Sequence, residues 1–220
     1  MTRNLEEANR QNSVAFLQTA SPRKWRLLVK RMADVLGATL SLLLLAPVFL
    51  VIAILIKCTS KGPVIFRQKR VGLHGEVFVI YKFRTMNSRA ERQLAEMPEL
   101  AEWDGPVFRV RNDPRVTWIG RLLRRLSLDE LPQLFNVLVG NMSLVGPRPH
   151  LPEEVARYEA WHRKRLSCKP GLTCLWQVTR RHDVTFEEWI KLDLRYIEEW
   201  SLWLDFWILV RTIPVVLLGA

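Results

Sequence analysis

The stretch VLGATLSLLLLAPVFLVIAILI, residues 35–56, sets the architecture because it contains no charged side chain. A straight α-helix over this length extends about 33 Å, enough to cross the hydrocarbon core of a bilayer. The stretch begins too far into the chain, and runs too long, for a cleaved signal peptide. A fully buried core helix is the alternative, but so long an uncharged run favours a membrane segment.

Pro47 and the charged flanks of this segment bear on whether it crosses the bilayer. Proline removes a backbone hydrogen bond and clashes with the preceding turn, so we expect a kink beside Ala46. Positive charge marks the cytoplasmic side, and it lies on both flanks: Arg23, Lys24, Arg26, Lys30 and Arg31 upstream, and Lys57, Lys61, Arg67, Lys69 and Arg70 downstream. These features fit equally a kinked span and a helix that dips in, breaks at the proline and returns with both ends in the cytoplasm.

The C-terminal residues 200–220 indicate a second membrane contact. Tryptophan favours the headgroup boundary, and the charges of Asp205 and Arg211 argue against a clean span. The aromatic residues of this segment are Trp200, Trp203, Phe206 and Trp207. We expect the segment to lie in the interface, the alternative being an amphipathic core helix.

The residues between these segments predict a mixed α/β domain in which helix predominates. Alternating apolar and polar residues around Gly72–Gly75 indicate two strands and a turn. Four helices are expected: Trp118 to Arg125, Leu128 to Val139 with Ser127 as N-cap, Glu153 to about Arg165, and Phe186 to Trp200. Residues 87–100 are also helix-prone. The segment KPGLTCLWQV (169–178) is expected to be a loop leading into a strand. The chain thus divides into a polar and basic N-terminal extension (1–29), a membrane helix (30–58), a cytoplasmic domain (59–199) and an interfacial segment (200–220).

The charge balance narrows the classes of partner. Lys and Arg number 33 against 22 Asp and Glu, a formal net charge of +11, which is typical of proteins that bind nucleic acid, an anionic membrane or a phosphorylated substrate. No nucleic-acid-reading motif is present, and the membrane segment gives the cations another purpose, so no nucleic acid is expected. Cys58, Cys168 and Cys174 lack zinc-ligand spacing and weakly favour a reducing compartment.

The adjacent carboxylates Asp129 and Glu130 are the candidate reactive groups. Two acidic residues in a first helical turn are ordinarily capping residues, but here Arg121, Arg124 and Arg125 lie one turn upstream. Guanidinium groups are expected to keep a neighbouring carboxylate ionised, which suits a nucleophile, and to take up phosphate charge. Two carboxylates beside a diphosphate also suit Mg²⁺.

Further cations occur in loops constrained by proline or aromatic residues, where they are better placed for phosphate recognition than cations on mobile helix surfaces. A single basic residue is more often a solvated charge. These cations are Lys82, Arg84, Arg109, Arg111, Arg115, Arg148, Arg180 and Arg181.

Taken together, the motifs resemble those of the bacterial sugar transferases, the monotopic phosphoglycosyl transferases. The resemblance runs from about Lys30 to the C-terminus and is carried by KRMADVLGATLSLLLLAPVFL, RVGLHGEVFVIYKFRTM, RNDPRVTWIGRLLRRLSLDELPQLFNVLVGNMSLVGPRP and KPGLTCLWQV. It implies a re-entrant membrane helix broken at Ala46–Pro47 and a location in the bacterial inner membrane with the catalytic domain facing the cytoplasm. It also implies exopolysaccharide, capsule or other glycoconjugate synthesis.

The resemblance further implies a reaction. Asp129 would attack the β-phosphate of a UDP-sugar and release UMP, and polyprenyl (undecaprenyl) phosphate would then take the sugar phosphate from the covalent intermediate. Asp129 and Glu130 would hold Mg²⁺. The residues implied to bind substrate are Lys82, Arg84, Arg115, Gln133, Arg148, Arg181 and Asp193.

Three positions depart from the family pattern. Asn141 stands where Asp is usual, and Cys174 and Arg180 stand where Gly is usual; loss of glycine matters where the backbone is left-handed. A non-catalytic membrane scaffold is the rival interpretation. The sequence identifies neither the sugar nor the oligomeric state, and a homodimer is a guess that no residue pattern supports.

Overall fold

The computed structural model describes residues 24–87, 90, 102–109, 113–179 and 185–218. Within them, helix predominates over three small two-stranded sheets, as predicted. The helices are α1 Lys24–Thr59, α2 Trp118–Arg125, α3 Gln133–Val139, α4 Pro152–Ala156, α5 Leu175–Thr179, α6 Phe186–Glu198 and α7 Leu202–Leu218. The strands are β1 Ile65–Val71, β2 Val77–Phe83, β3 Glu102–Asp104, β4 Val107–Arg109, β5 Ser143–Val145 and β6 Gly171–Thr173.

Helix α1 is the one helix in the described part of the chain that is long and apolar enough to cross a membrane. It starts at Lys24, so six residues assigned to the N-terminal extension are helical, and it remains helical through Pro47 where a break was predicted. Its central residues Leu43 and Leu44 are about 70% exposed, whereas Ala38 and Ile56 are fully buried. Both halves of α1 therefore pack against the rest of the protein while its centre stands clear of it.

The two halves of α1 contact neighbouring parts of one framework. Ala38 packs in a cluster with Ile80 of β2, whereas Ile56 packs in a second cluster with Phe83 of the same strand. Polar contacts reinforce the first half, because Asp34 accepts hydrogen bonds from Ser143 Oγ (3.0 Å) and Leu144 N (2.9 Å).

Strands β1 and β2 form the predicted antiparallel hairpin, in which Val71 pairs with Val77 and Ile65 with Phe83. The fully buried Asn136 of α3 satisfies the outer edge of β2. Its Nδ2 donates to Val79 O (2.7 Å) and its Oδ1 accepts from Tyr81 N (3.1 Å). The side-chain amide thus replaces a third strand and fixes α3 to the hairpin.

The predicted bounds of α2 are confirmed at both ends. The prediction of one continuous helix over residues 128–139 is wrong, because the segment forms two elements. A 3₁₀ turn, Leu128–Glu130, precedes α3, and Ser127 has a left-handed φ of 55° with no capping hydrogen bond. Ser127 therefore turns the chain between α2 and the 3₁₀ turn instead of capping a helix. Thr117 is the actual N-cap of α2 and accepts a hydrogen bond from Gly120 N (3.0 Å).

The C-terminal half departs from the sequence prediction in two further places. The helix expected from Glu153 to about Arg165 is the short α4 followed by a 3₁₀ turn, His162–Ser167. The KPGLTCLWQV segment forms β6, which pairs in parallel with β5, and then α5. Most of the helix-prone residues 87–100 lie outside the described residues.

Helix α7 is tied to α1 by a buried ion pair. Asp205 accepts hydrogen bonds from Lys30 Nζ (2.6 Å), Tyr196 Oη (2.7 Å) and Trp200 Nε1 (3.2 Å). The outer side of α7 remains exposed and apolar, with Trp203 at 72%. The acidic residue that argued against a membrane span therefore lies inside the protein, and aromatic residues lie on the surface.

Candidate active site

The candidate nucleophile lies in the turn between α2 and α3. Close packing fixes this turn, because a Cβ added at Gly120 would lie 2.0 Å from Thr85 O. The left-handed Ser127 then reverses the chain and places Asp129 and Glu130 on the following 3₁₀ turn. Only the absence of a side chain at Gly120 lets α2 approach the segment that follows β2 so closely.

Two cations from distant parts of the chain hold Glu130. Lys82 Nζ lies 2.9 Å from Glu130 Oε1, and Arg148 contacts Oε1 at 2.5 Å and Oε2 at 3.1 Å. Lys82 belongs to β2, and Arg148 lies in the loop after β5. The tertiary structure thus brings together three residues that the sequence singled out separately.

These contacts determine the protonation of Glu130. Burial alone would raise the pKa of Glu130, but the charges and hydrogen bonds of Arg148 and Lys82 hold it well below its usual range. Glu130 is therefore ionised across the physiological pH range and serves as a fixed negative anchor for the two cations.

Asp129 lies in a different environment from its neighbour. Its carboxylate accepts no hydrogen bond from the described residues, and burial together with the charge of Glu130 raises its pKa to about 6. Lys82, Arg124 and Arg148 oppose this rise without overcoming it. Arg124 lowers the pKa of Asp129, in the direction expected of an upstream arginine, but burial and the charge of Glu130 outweigh it, so the pKa lies above the ordinary value for an aspartate.

The upstream arginines contribute unequally because they point in different directions around α2. Arg124 Nε donates to Thr85 Oγ1 (3.0 Å), and its charge acts on Asp129. All three arginines are exposed, and Arg121 Nη1 donates to Val116 O (3.4 Å). Arg124 is the arginine of this group that its contact with Thr85 and its charge on Asp129 connect to the site.

Arg84 and Arg115 lie in other contacts. Arg84 Nη2 donates to Ser60 O (2.8 Å) and Ser60 Oγ (2.9 Å), just beyond the C-terminus of α1. Arg115 forms a two-point ion pair with Asp113 at 2.6 and 2.7 Å. Contact of either residue with substrate stays a prediction, and the geometry gives each a role in holding segments of the chain together.

The remaining candidates lie in other parts of the chain. Gln133 begins α3 and is buried at 3% exposure, and Asp193 of α6 is paired with Arg165 in the interior at 1%. Arg181 lies outside the described residues, as do Arg111 and Arg180, and the side chain of Arg109 is not described. Ala46 and Pro47 lie in the exposed centre of α1.

Sequence reasoning missed two arginines that support the site. Arg70 Nη1 donates to Pro149 O (3.2 Å), and Arg165 Nη2 donates to Arg148 O (2.8 Å). Arg70 had been counted with the basic flank of the membrane segment, and nothing in the spacing of Arg165 distinguishes it from its basic neighbours. Their role depends on contacts between residues far apart in sequence.

The acidic pair fits a magnesium ion that takes most of its ligands from substrate. Within the described residues no group of three or more potential ligands is found, but Mg²⁺ commonly binds through one or two carboxylates with substrate phosphates and water. Asp129 has free oxygens, whereas both oxygens of Glu130 already contact cations. Asp129 would be the primary ligand and Glu130 a shared one.

Two departures from the family pattern can be examined in the structure. Cys174 is buried and does not have a positive φ, so cysteine replaces the usual glycine there without backbone strain. Its thiol lies 3.2 Å from Gln177 Oε1. Asn141 is exposed.

Comparison with known proteins places these features in a family. The family model described as "Bacterial sugar transferase" matches residues 25–219. The chain is 40% identical to exopolysaccharide production protein ExoY of Rhizobium meliloti, over 98% of both chains. It is 44% identical to galactosyl transferase CpsE of Streptococcus agalactiae and to undecaprenyl-phosphate galactose phosphotransferase of Salmonella typhimurium, over 88% and 86% of this chain.

The chain spans less than half the length of the latter two relatives, 43% and 40%, although it matches ExoY almost from end to end. The matched region includes the Asp129–Glu130 turn, Lys82 and Arg148. The chain belongs to the bacterial sugar transferase family.

Proposed function

We propose that this chain transfers a sugar 1-phosphate from a UDP-sugar to polyprenyl (undecaprenyl) phosphate and releases UMP. The proposal rests on the different contacts of the two adjacent carboxylates. Glu130 binds Lys82 and Arg148, and the Asp129 carboxylate is left free to react. A relative named as an undecaprenyl-phosphate galactose phosphotransferase supports this choice of substrates.

The chemistry follows from a free carboxylate beside fixed cations. An Asp129 oxygen attacks the β-phosphorus of the UDP-sugar, forming an O–P bond while the bond from that phosphorus to the bridging oxygen breaks and UMP leaves. An oxygen of the polyprenyl phosphate then attacks the same phosphorus and releases Asp129. A pKa of about 6 leaves Asp129 mostly ionised at neutral pH.

Lys82, Arg124 and Arg148 contribute positive charge where the transferred phosphoryl group must pass. Such preorganised charge stabilises the transition state without reorganisation during the reaction. Mg²⁺, which Asp129 and Glu130 would hold, would neutralise substrate charge.

The surface around the site supports a location at a bilayer. Four helices expose large apolar residues: Leu43 and Leu44 on α1, Trp118 and Leu122 on α2, Phe135 and Val139 on α3, and Trp203, Phe206, Val210 and Ile213 on α7. Exposed apolar surface of this extent is typical of membrane contact. We therefore place the enzyme at the bacterial inner membrane, acting from the cytoplasm in a first membrane step of exopolysaccharide synthesis.

We also propose that α1 enters the bilayer without crossing it. Straight, its 36 residues would extend about 54 Å. Yet Ala38 and Ile56 pack in clusters with Ile80 and Phe83, which lie only three residues apart in β2. A helix bent near Pro47 reconciles this packing with an exposed apolar centre.

The reaction is tested by UMP release from purified full-length protein with a panel of UDP-sugars, Mg²⁺ and undecaprenyl phosphate, beside an Asp129→Asn control. We expect release with at least one donor and none from the control or with EDTA. UMP–donor exchange without acceptor would support the covalent intermediate. A folded protein that releases no UMP with any donor would favour the membrane-scaffold interpretation.

Topology is tested separately by thiol labelling in intact spheroplasts. Cys58 and Cys168 are replaced by Ser and the buried Cys174 by Ala, and single cysteines are introduced at Leu27 and Lys61 on either side of the apolar segment. Both positions should resist impermeant reagents unless the cells are lysed. Labelling of one position in intact cells would establish a span and overturn the re-entrant proposal.

A further inference from the structure

The loop that carries Arg148, residues 147–150, accepts a hydrogen bond at each of its four carbonyl groups. Two of its four residues are prolines, which have no N–H to donate, so the loop is held mainly through its carbonyl groups. Each successive carbonyl accepts a bond: Pro147 O from Gly171 N (2.9 Å), Arg148 O from Arg165 Nη2 (2.8 Å), Pro149 O from Arg70 Nη1 (3.2 Å) and His150 O from Val71 N (2.9 Å).

The donor to the Arg148 carbonyl is itself fixed on three sides. Arg165 is 3% exposed. Its guanidinium donates to Tyr158 Oη (2.7 Å), to Arg148 O and to Asp193 Oδ2. Tyr158 Oη in turn lies 2.5 Å from His150 Nδ1 in the same loop. The planar fork of arginine can serve several acceptors at fixed angles, which the single ammonium of lysine cannot reproduce.

Burial distinguishes this group from residues that touch substrate. The side chains of Arg165 and Asp193 are 2% and 1% exposed, so neither presents a surface to a ligand. The direct substrate contact that the family resemblance implied for Asp193 is therefore not supported by this geometry. The pair lies beneath the loop, whereas the Arg148 guanidinium reaches Glu130 on the other side.

We propose that Arg165, held by Asp193 and Tyr158, is a positioning residue that fixes the backbone of Arg148 and thereby the contact of its guanidinium with Glu130. This inference rests on the proposed function, in which the Glu130–Arg148 contact orders the phosphoryl-transfer site. Arg165 and Glu130 share no hydrogen bond in the structure, whereas Arg148 contacts both of them, through its carbonyl and its guanidinium.

Displacement of Arg148 has a signature that simple destabilisation lacks. A misplaced Arg148 guanidinium lowers kcat per folded molecule with little change in KM, because its charge acts on the transition state. Loss of stability alone lowers the amount of active protein and leaves kcat per folded molecule unchanged.

The first experiment compares kcat per folded molecule and KM for UMP release by the wild type, Arg165→Lys and Tyr158→Phe at one fixed pH. We expect Arg165→Lys to lower kcat by about 10- to 100-fold with little change in KM, and Tyr158→Phe to lower kcat by a smaller factor. Tyr196→Phe is the matched control, because it removes buried hydrogen bonds to Val145 O (3.1 Å) and Asp205 (2.7 Å) away from Glu130.

A wild-type kcat per folded molecule in both Arg165→Lys and Tyr158→Phe would overturn the positioning role, whatever their thermal stability. If Arg165→Lys does not fold, Tyr158→Phe carries the comparison alone. Absence of UMP release from the wild type would instead contradict the proposed function.

A second measurement needs no activity. The melting temperatures of Arg165→Lys, Glu130→Gln and the double variant form a cycle that isolates the coupling of the two sites. We expect the double variant to be more stable than the sum of the single shifts predicts, because each change disrupts the same contact. Additive shifts would reduce Arg165–Asp193 to an ordinary core ion pair.

Discussion

Replacing Glu130 by Gln removes the negative charge that holds Lys82 and Arg148. Opposite charges at the observed Lys82–Glu130 separation of 2.9 Å attract by about 6 kcal/mol at an effective dielectric constant of about 20. Desolvation offsets much of this attraction, and breaking a buried pair costs about 3–5 kcal/mol of unfolding free energy. Since whole domains are stable by about 5–15 kcal/mol, we expect Glu130→Gln to fold with a markedly lower melting temperature.

The same substitution has an opposite effect on the carboxylate beside it. The charge of Glu130 raises the pKa of Asp129, which is about 6 in the wild type. Nearby charges interact by about 1–2 kcal/mol, and 1.36 kcal/mol corresponds to about one pH unit. Asp129 therefore ionises more readily in Glu130→Gln. The acid limb of the pH–rate profile for UMP release should move to lower pH by about one unit, even though kcat falls.

The assay is a pH–rate profile from pH 4.5 to 8 together with thermal unfolding. Glu198→Gln is the matched control, because Glu198 is an exposed acid on α6 and its loss should change the unfolding free energy by less than about 0.5 kcal/mol. An acid limb that stays in place or moves upward in folded Glu130→Gln would refute the assignment of Glu130 as the charge that raises the Asp129 pKa.

Other substitutions test separate parts of the structure. Asp129→Asn should abolish UMP release while the melting temperature stays equal or rises, because the carboxylate accepts no hydrogen bond from the described residues and its burial disfavours the charge; a large fall in melting temperature would contradict this. Gly120→Ala should lower the melting temperature sharply, because the new Cβ would lie 2.0 Å from Thr85 O. Gly75→Ala is the comparison: a Cβ there would meet no atom within 4 Å, but φ is +86°, so the unfolding free energy should fall by about 1 kcal/mol. Arg84→Met should lower the unfolding free energy by about 1.5–3 kcal/mol through loss of its bonds to Ser60 O and Oγ, measured by chemical denaturation; an unchanged midpoint would show that this contact contributes nothing.

The local elements were predictable where one periodicity or one turn signal dominated. The β1–β2 hairpin and the bounds of α2 follow from alternation and from amphipathic spacing. The N-cap prediction for Ser127 is wrong although a serine before two acids fits an N-cap, because Ser127 takes a left-handed conformation between α2 and the 3₁₀ turn. Local propensity gave way to tertiary packing.

The candidate site was predictable in its members and not in their roles. Charged groups in constrained turns and loops favour phosphate chemistry, and this is why the sequence singles out Asp129, Glu130, Lys82 and Arg148. Which carboxylate holds the cations and which remains free depends on distances of 2.5–3.1 Å between residues up to 48 positions apart. The strength of such charge interactions depends on the separation and burial of the groups, and the amino-acid sequence specifies neither directly.

The sequence by itself determined that a long uncharged helix sits beside a basic, mixed α/β domain, because hydropathy and charge are properties of the residues themselves. The tertiary structure alone decided that Asp205 lies inside against Lys30, that Asn136 completes the edge of β2, and that Arg165 supports Arg148. Each of these polar groups is stable in the interior because a specific partner satisfies it there, and that partner is supplied by the folding of distant segments.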